Sequence, residues 1–154
     1  VQRSESMRKS SYQHNDRRIF MEIESISISK TSTMIQNLLD CVSDEEQVFL
    51  SHQFVDMRKS IDGLATILQG VYDLNPFNGD TFLFCNKKKD KLKILQWDTE
   101  GFIVTYKRME RGKFHWPSLS EQEYVTAVRK KDLKRLLQGL PMEQFIPKRN
   151  YSIV

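Results

Sequence analysis

Three short segments in the middle of the chain have the composition of β-strands, and turn-forming residues separate them. The segments are Thr81–Cys85, Leu92–Trp97 and Phe102–Lys107, with turns at Asn86–Asp90 and Asp98–Gly101. Aromatic and β-branched runs bounded by Asn, Asp and Gly are typical of strands joined as hairpins. The pattern predicts an antiparallel β-meander. Phe114 and Trp116 alternate with polar residues and predict a fourth, shorter strand that Pro117 ends.

Helical patterns flank the predicted meander on both sides. After a short predicted strand at Val48–Leu50, continued by Phe54 and Val55, Asp56 is a plausible N-cap for a helix. The apolar positions of this helix are Met57, Ile61, Leu64, Leu68 and Val71. Near the C-terminus, Ser120 and Glu123 have capping-box spacing. The apolar residues that follow are Tyr124, Val125, Val128, Leu133, Leu136 and Leu137, before a stop at Gly139 and Pro141.

These patterns predict an α+β fold. We expect a small antiparallel β-meander of three to five strands, packed with a helix after the first strand and a C-terminal helical region. Residues 1–46 are rich in Ser and Thr, and we expect a largely disordered or extraneous N-terminal tail with a short helix at 34–40. Residues 47–140 then form a single domain, and residues 141–154 form a C-terminal tail.

Positive charge is concentrated in the second segment of the chain. Residues 47–154 carry 18 Lys and Arg against 12 Asp and Glu, a net +6, whereas residues 1–46 carry six against eight, a net −2. A polyanion such as DNA is therefore a candidate partner.

The meander predicts a basic surface. If Phe82, Phe84, Leu92, Ile94, Phe102, Val104, Tyr106, Phe114 and Trp116 share the core face, period-two geometry leaves lysines on the other. The candidate DNA-binding residues on this face, at the turn and after the last strand are Lys87, Lys88, Lys89, Lys91, Lys93, Lys107, Arg108, Arg111 and Lys113. The alternative is a solvated sheet face whose lysines protect an edge strand.

Two further cations stand near the predicted helix start. Arg58 and Lys59 would fall in its first turn, where exposed N–H groups and the helix dipole favour an anion and disfavour cations. The first interpretation is a phosphate site. The alternative is local ion pairing with Asp62, which lies four and three residues further on.

Catalytic patterns are weak in this sequence. Asp56, Asp62, Asp98, Glu100 and Glu110 could in principle supply a two-metal nuclease site, but Asp98 and Glu100 fall in a predicted turn. The sequence has no GxxxxGK[ST], GxSxG or GxGxxG motif, and Cys41 and Cys85 lack metal-ligand spacing. No segment is long and apolar enough to span a membrane. We expect a cytoplasmic protein with no metal, cofactor, membrane or small-molecule substrate, and no enzymatic activity.

A series of motifs identifies a family resemblance. In order these are Asp56–Leu64, Asn75–Phe77, Phe82–Phe84, Lys91–Trp97, Gly101–Phe102 and Tyr106–Pro117. Together they resemble the TnpB-type accessory proteins, the second reading-frame products of the insertion-sequence sixty-six (IS66) family of mobile elements. The resemblance runs from about Val48 to Leu140. The family's shared residues correspond here to Asp56, Arg58, Lys59, Asp62, Trp97, Gly101, Lys107, Arg108, Gly112, Trp116 and Pro117.

The resemblance implies an accessory role in transposition, beside a separate transposase that performs the cutting and joining. Our leading hypothesis is non-catalytic DNA binding, with transposon ends and the cognate transposase as partners. The alternative is a protein-interaction module that bridges or loads the transposase through Trp97, Phe114 and Trp116. A more distant alternative is a metal-dependent nuclease.

Overall fold

The computed structural model describes residues 33–146. The predictions for the rest of the two tails, 1–32 and 147–154, lie outside the described residues. Of the described residues, 33–38 belong to one unit and 39–146 to a second unit, which contains the sheet.

The described residues form an α+β fold, as predicted. The helices are α1 at 33–40, where the sequence predicts a short helix, α2 at Ile61–Thr66 and α3 at Lys130–Leu137. Helix α2 continues as a π-helix over Ile67–Val71, and Glu143–Phe145 forms a 3-10 turn. The strands are β1 (Val48–Ser51), β2 (Thr81–Cys85), β3 (Lys91–Asp98), β4 (Gly101–Arg108) and β5 (Val125–Val128).

The strands form one five-stranded sheet in the order β4-β3-β2-β1-β5. The predicted meander is confirmed, because β2 pairs antiparallel with β3, and β3 with β4. Strand β1 lies parallel to β2, with Phe49 opposite Phe82, since α2 carries the chain back to the same end of the sheet. Strand β5 closes the other edge antiparallel to β1.

Helix α2 covers the first face of the sheet. Phe82 and Phe84 of β2 and Leu95 of β3 point to this face and pack in one core with Leu64 and Leu68. Leu64 and Leu68 therefore lie on the buried side of the helix, as the sequence predicts, whereas Val71, predicted on the same side, is exposed.

The second face of the sheet is also buried, although the sequence predicted that it would be exposed to solvent. Leu92 and Ile94 of β3 alternate with residues of the first face, yet they are as fully buried as Phe84. Lys107 of β4 points to this second face, and its Nζ donates to the main-chain carbonyl of Leu137, the last residue of α3. The prediction of one core face and one lysine-bearing face is therefore wrong. The buried residues of α3 on its apolar side are Leu133, Leu136 and Leu137.

Two predicted elements are corrected. Phe114 and Trp116 are buried but lie in an irregular segment, held where the Phe114 N–H donates to the Lys89 carbonyl at 2.7 Å. Val125–Val128, predicted as helix, is strand β5, because its main chain completes the open edge of β1. Helix α3 begins only at Lys130 and ends before Gly139, whose φ of +77° provides the expected stop.

Residues 141–146 belong to the C-terminal tail predicted at 141–154, and two contacts tie them to the domain. Met142 is buried, and the Glu143 N–H donates to the buried carboxylate of Asp132 at 2.7 Å. The 3-10 turn is thus tied to the first turn of α3.

Candidate nucleic-acid interface

A shallow groove of about 610 Å³ lies where the β2–β3 turn meets the segment after β1. It contains four cations and two aromatic side chains, and we call it the basic groove. The lining residues are Phe54, Val55, Asp56, Met57, Arg58, Asn86, Lys87, Lys88, Lys91 and Tyr106. Residues distant in sequence therefore contribute to one surface.

Arg58 lies before α2, which corrects the prediction of a site at a helix start. The N-cap of α2 is Ser60, and the helix begins at Ile61. Asp56 Oδ1 accepts the main-chain N–H of Arg58 at 2.9 Å, which makes a turn in place of the predicted first helical turn. Arg58 and Lys59 thus cannot form the predicted phosphate site with helix N–H groups.

The carboxylate of Asp56, not of Asp62, is the partner of Arg58. Arg58 Nη2 lies 2.6 Å from Asp56 Oδ2, and its Nε donates to the same carboxylate. These hydrogen bonds lower the pKa of Asp56 to about 2 and raise that of Arg58. The Arg58 side chain is nevertheless 92% exposed, so the guanidinium remains accessible to a competing phosphate.

Three lysines of the sheet and its β2–β3 turn also line the basic groove. Lys87 and Lys88 are exposed in the β2–β3 turn, and Lys91 begins β3. Lys93 follows on the same face of the strand, and its Nζ donates to the Lys59 carbonyl at 2.7 Å. This bond ties the sheet to the segment before α2.

Phe54 and Tyr106 are the exposed aromatic residues of the groove, with 45% and 49% of their surface accessible. Lys89 Nζ lies 5.9 Å from the centre of the Phe54 ring, and Lys93 Nζ lies 5.6 Å from that of Tyr106. Both separations are within the range of a cation–π interaction. Neither residue was predicted as a site residue, because Tyr106 was assigned to the core face of the sheet and Phe54 only to a short predicted strand.

The remaining predicted cations do not share one sheet face. Arg108 pairs across the sheet with Lys91 at the groove end of β4, and its guanidinium contacts Glu110 at 2.8 Å, which raises the pKa of Arg108. Lys107 points to the other face, where burial lowers its pKa. Arg111 and Lys113 are exposed in the segment that returns beside the β2–β3 turn.

The aromatic residues of the alternative hypothesis also separate into two groups. Phe114 and Trp116 are buried, so their rings belong to the core. Trp97 is partly exposed and packs edge-on against Phe77 and Phe102, with ring centres 5.0 and 4.9 Å away. Only Trp97 of these three residues is available to a partner protein.

The carboxylates proposed for a nuclease do not converge in the part of the chain that the structure describes. Within residues 33–146, no three His, Cys, Asp or Glu side chains are placed to hold a metal ion. Over the same residues, no helix has the length and apolarity needed to cross a membrane.

Comparison with known proteins gives a family and two bacterial relatives. The uncharacterized protein y4jC of Sinorhizobium fredii is 32% identical over 75 residues, which cover 49% of this chain and 64% of the relative. The uncharacterized protein y4hO of the same organism is 32% identical over 105 residues, 66% of this chain and 90% of the relative. The match thus spans slightly less than two thirds of y4jC. No solved structure matches the chain.

The family comparison agrees with the motif series. A sequence model of the family described as IS66 Orf2 like protein matches residues 46–146, which contain β1 to β5, α2, α3 and the basic groove. This match covers well over half of the chain and confirms the resemblance inferred from the motifs. The chain belongs to the family of IS66 Orf2-like proteins.

Proposed function

We propose that this transposon-associated accessory protein supports transposition by a separate transposase through non-catalytic DNA binding at the basic groove. The observation that carries the proposal is the convergence of Arg58, Lys87, Lys88 and Lys91 on one accessible surface. Cations so arranged bind phosphates without regard to base sequence, and each neutralised phosphate releases counterions. In this proposal the protein acts on transposon ends in the cytoplasm.

Replacing Lys87 and Lys88 by alanine is expected to weaken duplex binding while the fold remains intact. Both side chains are exposed in a turn, so their removal leaves the core unchanged. The slope of log affinity against log salt concentration should become shallower by up to about 1.8 units, because two phosphate contacts are lost. The measurement is fluorescence anisotropy with a duplex of the element's terminal repeat, at several salt concentrations.

A matched control is the double variant Lys131→Ala with Lys134→Ala. It removes the same charge from α3, which packs on the other face of the sheet from the groove. If both double variants change the affinity and the slope equally, binding follows net charge alone and the basic groove is not the site.

Asp56→Asn is expected to strengthen DNA binding. An asparagine Oδ1 can still accept the Arg58 N–H, so the turn is retained, while the charged partner of the Arg58 guanidinium is removed. Release from an exposed ion pair should raise affinity by up to about fivefold. The salt dependence should steepen by up to about 0.9 unit. Unchanged affinity and slope in the same anisotropy titration would show that Arg58 does not contact phosphate.

A second candidate function is a protein contact with the transposase, supported by the exposed cluster of Phe77, Trp97 and Ile103. These residues line a cavity of about 520 Å³ at the turn between β3 and β4. Partly exposed aromatic side chains of this kind are typical anchors of protein interfaces.

Trp97→Ala separates the two candidates. If the protein contacts the transposase through this cluster, the variant should lose about 2 kcal/mol or more of binding free energy for the transposase, measured by calorimetry, and should retain DNA binding. Lys87→Ala with Lys88→Ala should do the opposite. If Trp97→Ala leaves the transposase affinity unchanged in a folded protein, the interface at this cluster is excluded.

A further inference from the structure

We propose that the basic groove binds unpaired nucleotides of single-stranded DNA, with Phe54 and Tyr106 as the surfaces on which bases stack. The inference deepens the proposed function and rests on it. It identifies the form of DNA that the groove selects and gives a role to two aromatic residues that phosphate binding alone does not use.

The first support is the position of the two rings. Phe54 follows β1 and Tyr106 lies near the end of β4, yet both line the same groove with close to half of their surface exposed. Other aromatic residues on this face of the sheet, such as Phe82 and Phe84, are almost completely buried under α2. The two exposed rings therefore lie at the uncovered end of the face, where a ligand can reach them.

The second support is the arrangement of charge around the rings. Lys89 Nζ lies over one face of the Phe54 ring, and Lys93 Nζ lies over one face of the Tyr106 ring. Lys91 and Arg108, a cross-strand pair, follow directly beyond Lys93 and Tyr106. Each aromatic side chain thus has a cation within one nucleotide's reach, which matches the alternation of base and phosphate along a single strand.

A duplex cannot use these rings in the same way. Its bases are stacked on one another inside the helix, and only phosphates, sugars and groove edges are presented to a flat protein surface. Phosphate contacts from Lys87 and Lys88 are available to both forms of DNA, whereas stacking is available only to unpaired bases. The structure therefore predicts tighter binding of single strands and a selective effect of the two rings.

The test compares a fluorescently labelled oligothymidine strand with a labelled duplex of equal length. The variants are Phe54→Ala and Tyr106→Ala, each in the full chain and each checked for folding by circular dichroism. Each should lower single-strand affinity by about 5- to 150-fold, the range expected for loss of one stacked base, and change duplex affinity by less than twofold. The salt slope should stay unchanged, because no cation is removed.

Two further variants control for loss of structure. Tyr106→Phe retains the ring and should retain single-strand affinity. Leu140→Ala removes a similarly exposed apolar side chain just after α3, on the other face of the sheet, and should have no effect on either form of DNA.

The outcomes separate this inference from the proposed function. Equal affinity for both forms, with no effect of Phe54→Ala or Tyr106→Ala, overturns the stacking role and leaves phosphate binding at the groove intact. Equal losses for strand and duplex in the aromatic variants also overturn it, because the rings would then support the groove's structure. If neither form binds the wild-type protein, both proposals fail.

Discussion

Replacing Trp116 by alanine is expected to lower the free energy of unfolding by about 3–5 kcal/mol, the range measured for removal of a large buried aromatic side chain. Only 5% of the Trp116 surface is accessible, and the segment that carries it has no strand pairing to hold it in place. The indole therefore anchors the chain between β4 and β5 through packing. The measurement is equilibrium denaturation with urea, followed by far-ultraviolet circular dichroism.

Trp116→Phe is the informative control for this prediction. The indole Nε1 is buried without a hydrogen-bond partner, which costs about 1–3 kcal/mol relative to a satisfied donor. Phenylalanine keeps much of the ring but packs less well, which lowers the free energy of unfolding. It also removes the unpaired donor, which partly offsets that loss, so the net change in the free energy of unfolding should stay below about 2 kcal/mol. If Trp116→Ala proves as stable as the wild type, the side chain is not a core residue and the alternative role as a surface anchor regains support.

The local parts of the fold could be predicted because their information is local. Strands β2, β3 and β4 are consecutive, and the turns between them have the Asn, Asp and Gly residues that such hairpins use. The end of α3 at Gly139 follows from one residue that adopts a positive φ without strain. The α+β class and the helix after the first strand follow from the same kind of pattern.

The non-local parts could not be predicted. The sequence predicts a helix over residues 125–128 because they follow a capping box, although three of the four residues are β-branched and also suit a strand. The open edge of β1 decides between them, since it gives the main chain of Val125–Val128 a full set of partners. Burial of the second sheet face has the same origin, since Lys107 on that face reaches the Leu137 carbonyl of α3 only after the chain has folded back.

The residue types of the candidate site could be predicted from the sequence, but their arrangement in space could not. Arg58 and Lys87 were identified as candidate phosphate contacts, and the structure brings them to one groove from segments some thirty residues apart. Asp56 was predicted as a helix cap, whereas its carboxylate pairs with Arg58 at an exposed turn. Tyr106 was not predicted as a site residue. The alternation along β4 predicts on which face of the sheet a residue lies, but not which part of that face the helix covers.

Asp132→Ala is expected to lower the free energy of unfolding by about 2–4 kcal/mol. Asp132 is fully buried in the first turn of α3, where a carboxylate is stabilised by the helix dipole. Its two oxygens accept hydrogen bonds from Arg129 Nε at 2.6 Å and from the Glu143 N–H at 2.7 Å. Alanine leaves the partly buried main-chain N–H of Glu143 without this partner and removes the charge-assisted bond from Arg129, each worth about 1–3 kcal/mol. Chemical denaturation of the purified variant measures the loss.

Asp132→Asn and Glu143→Ala test whether the carboxylate itself carries this stability. Asparagine keeps the shape and one oxygen acceptor, so about half of the loss should remain. Glu143→Ala keeps the main-chain N–H and removes a half-exposed carboxylate that lies 3.1 Å from Lys131 and about 4 Å from Arg129 and Arg135. Because these are surface ion pairs, the change should stay within about 1 kcal/mol. If Glu143→Ala lowers the free energy of unfolding as much as Asp132→Ala does, surface ion pairs hold the 3-10 turn against α3. The opposite result shows that one buried carboxylate holds the 3-10 turn, and with it the buried side chain of Met142, against α3.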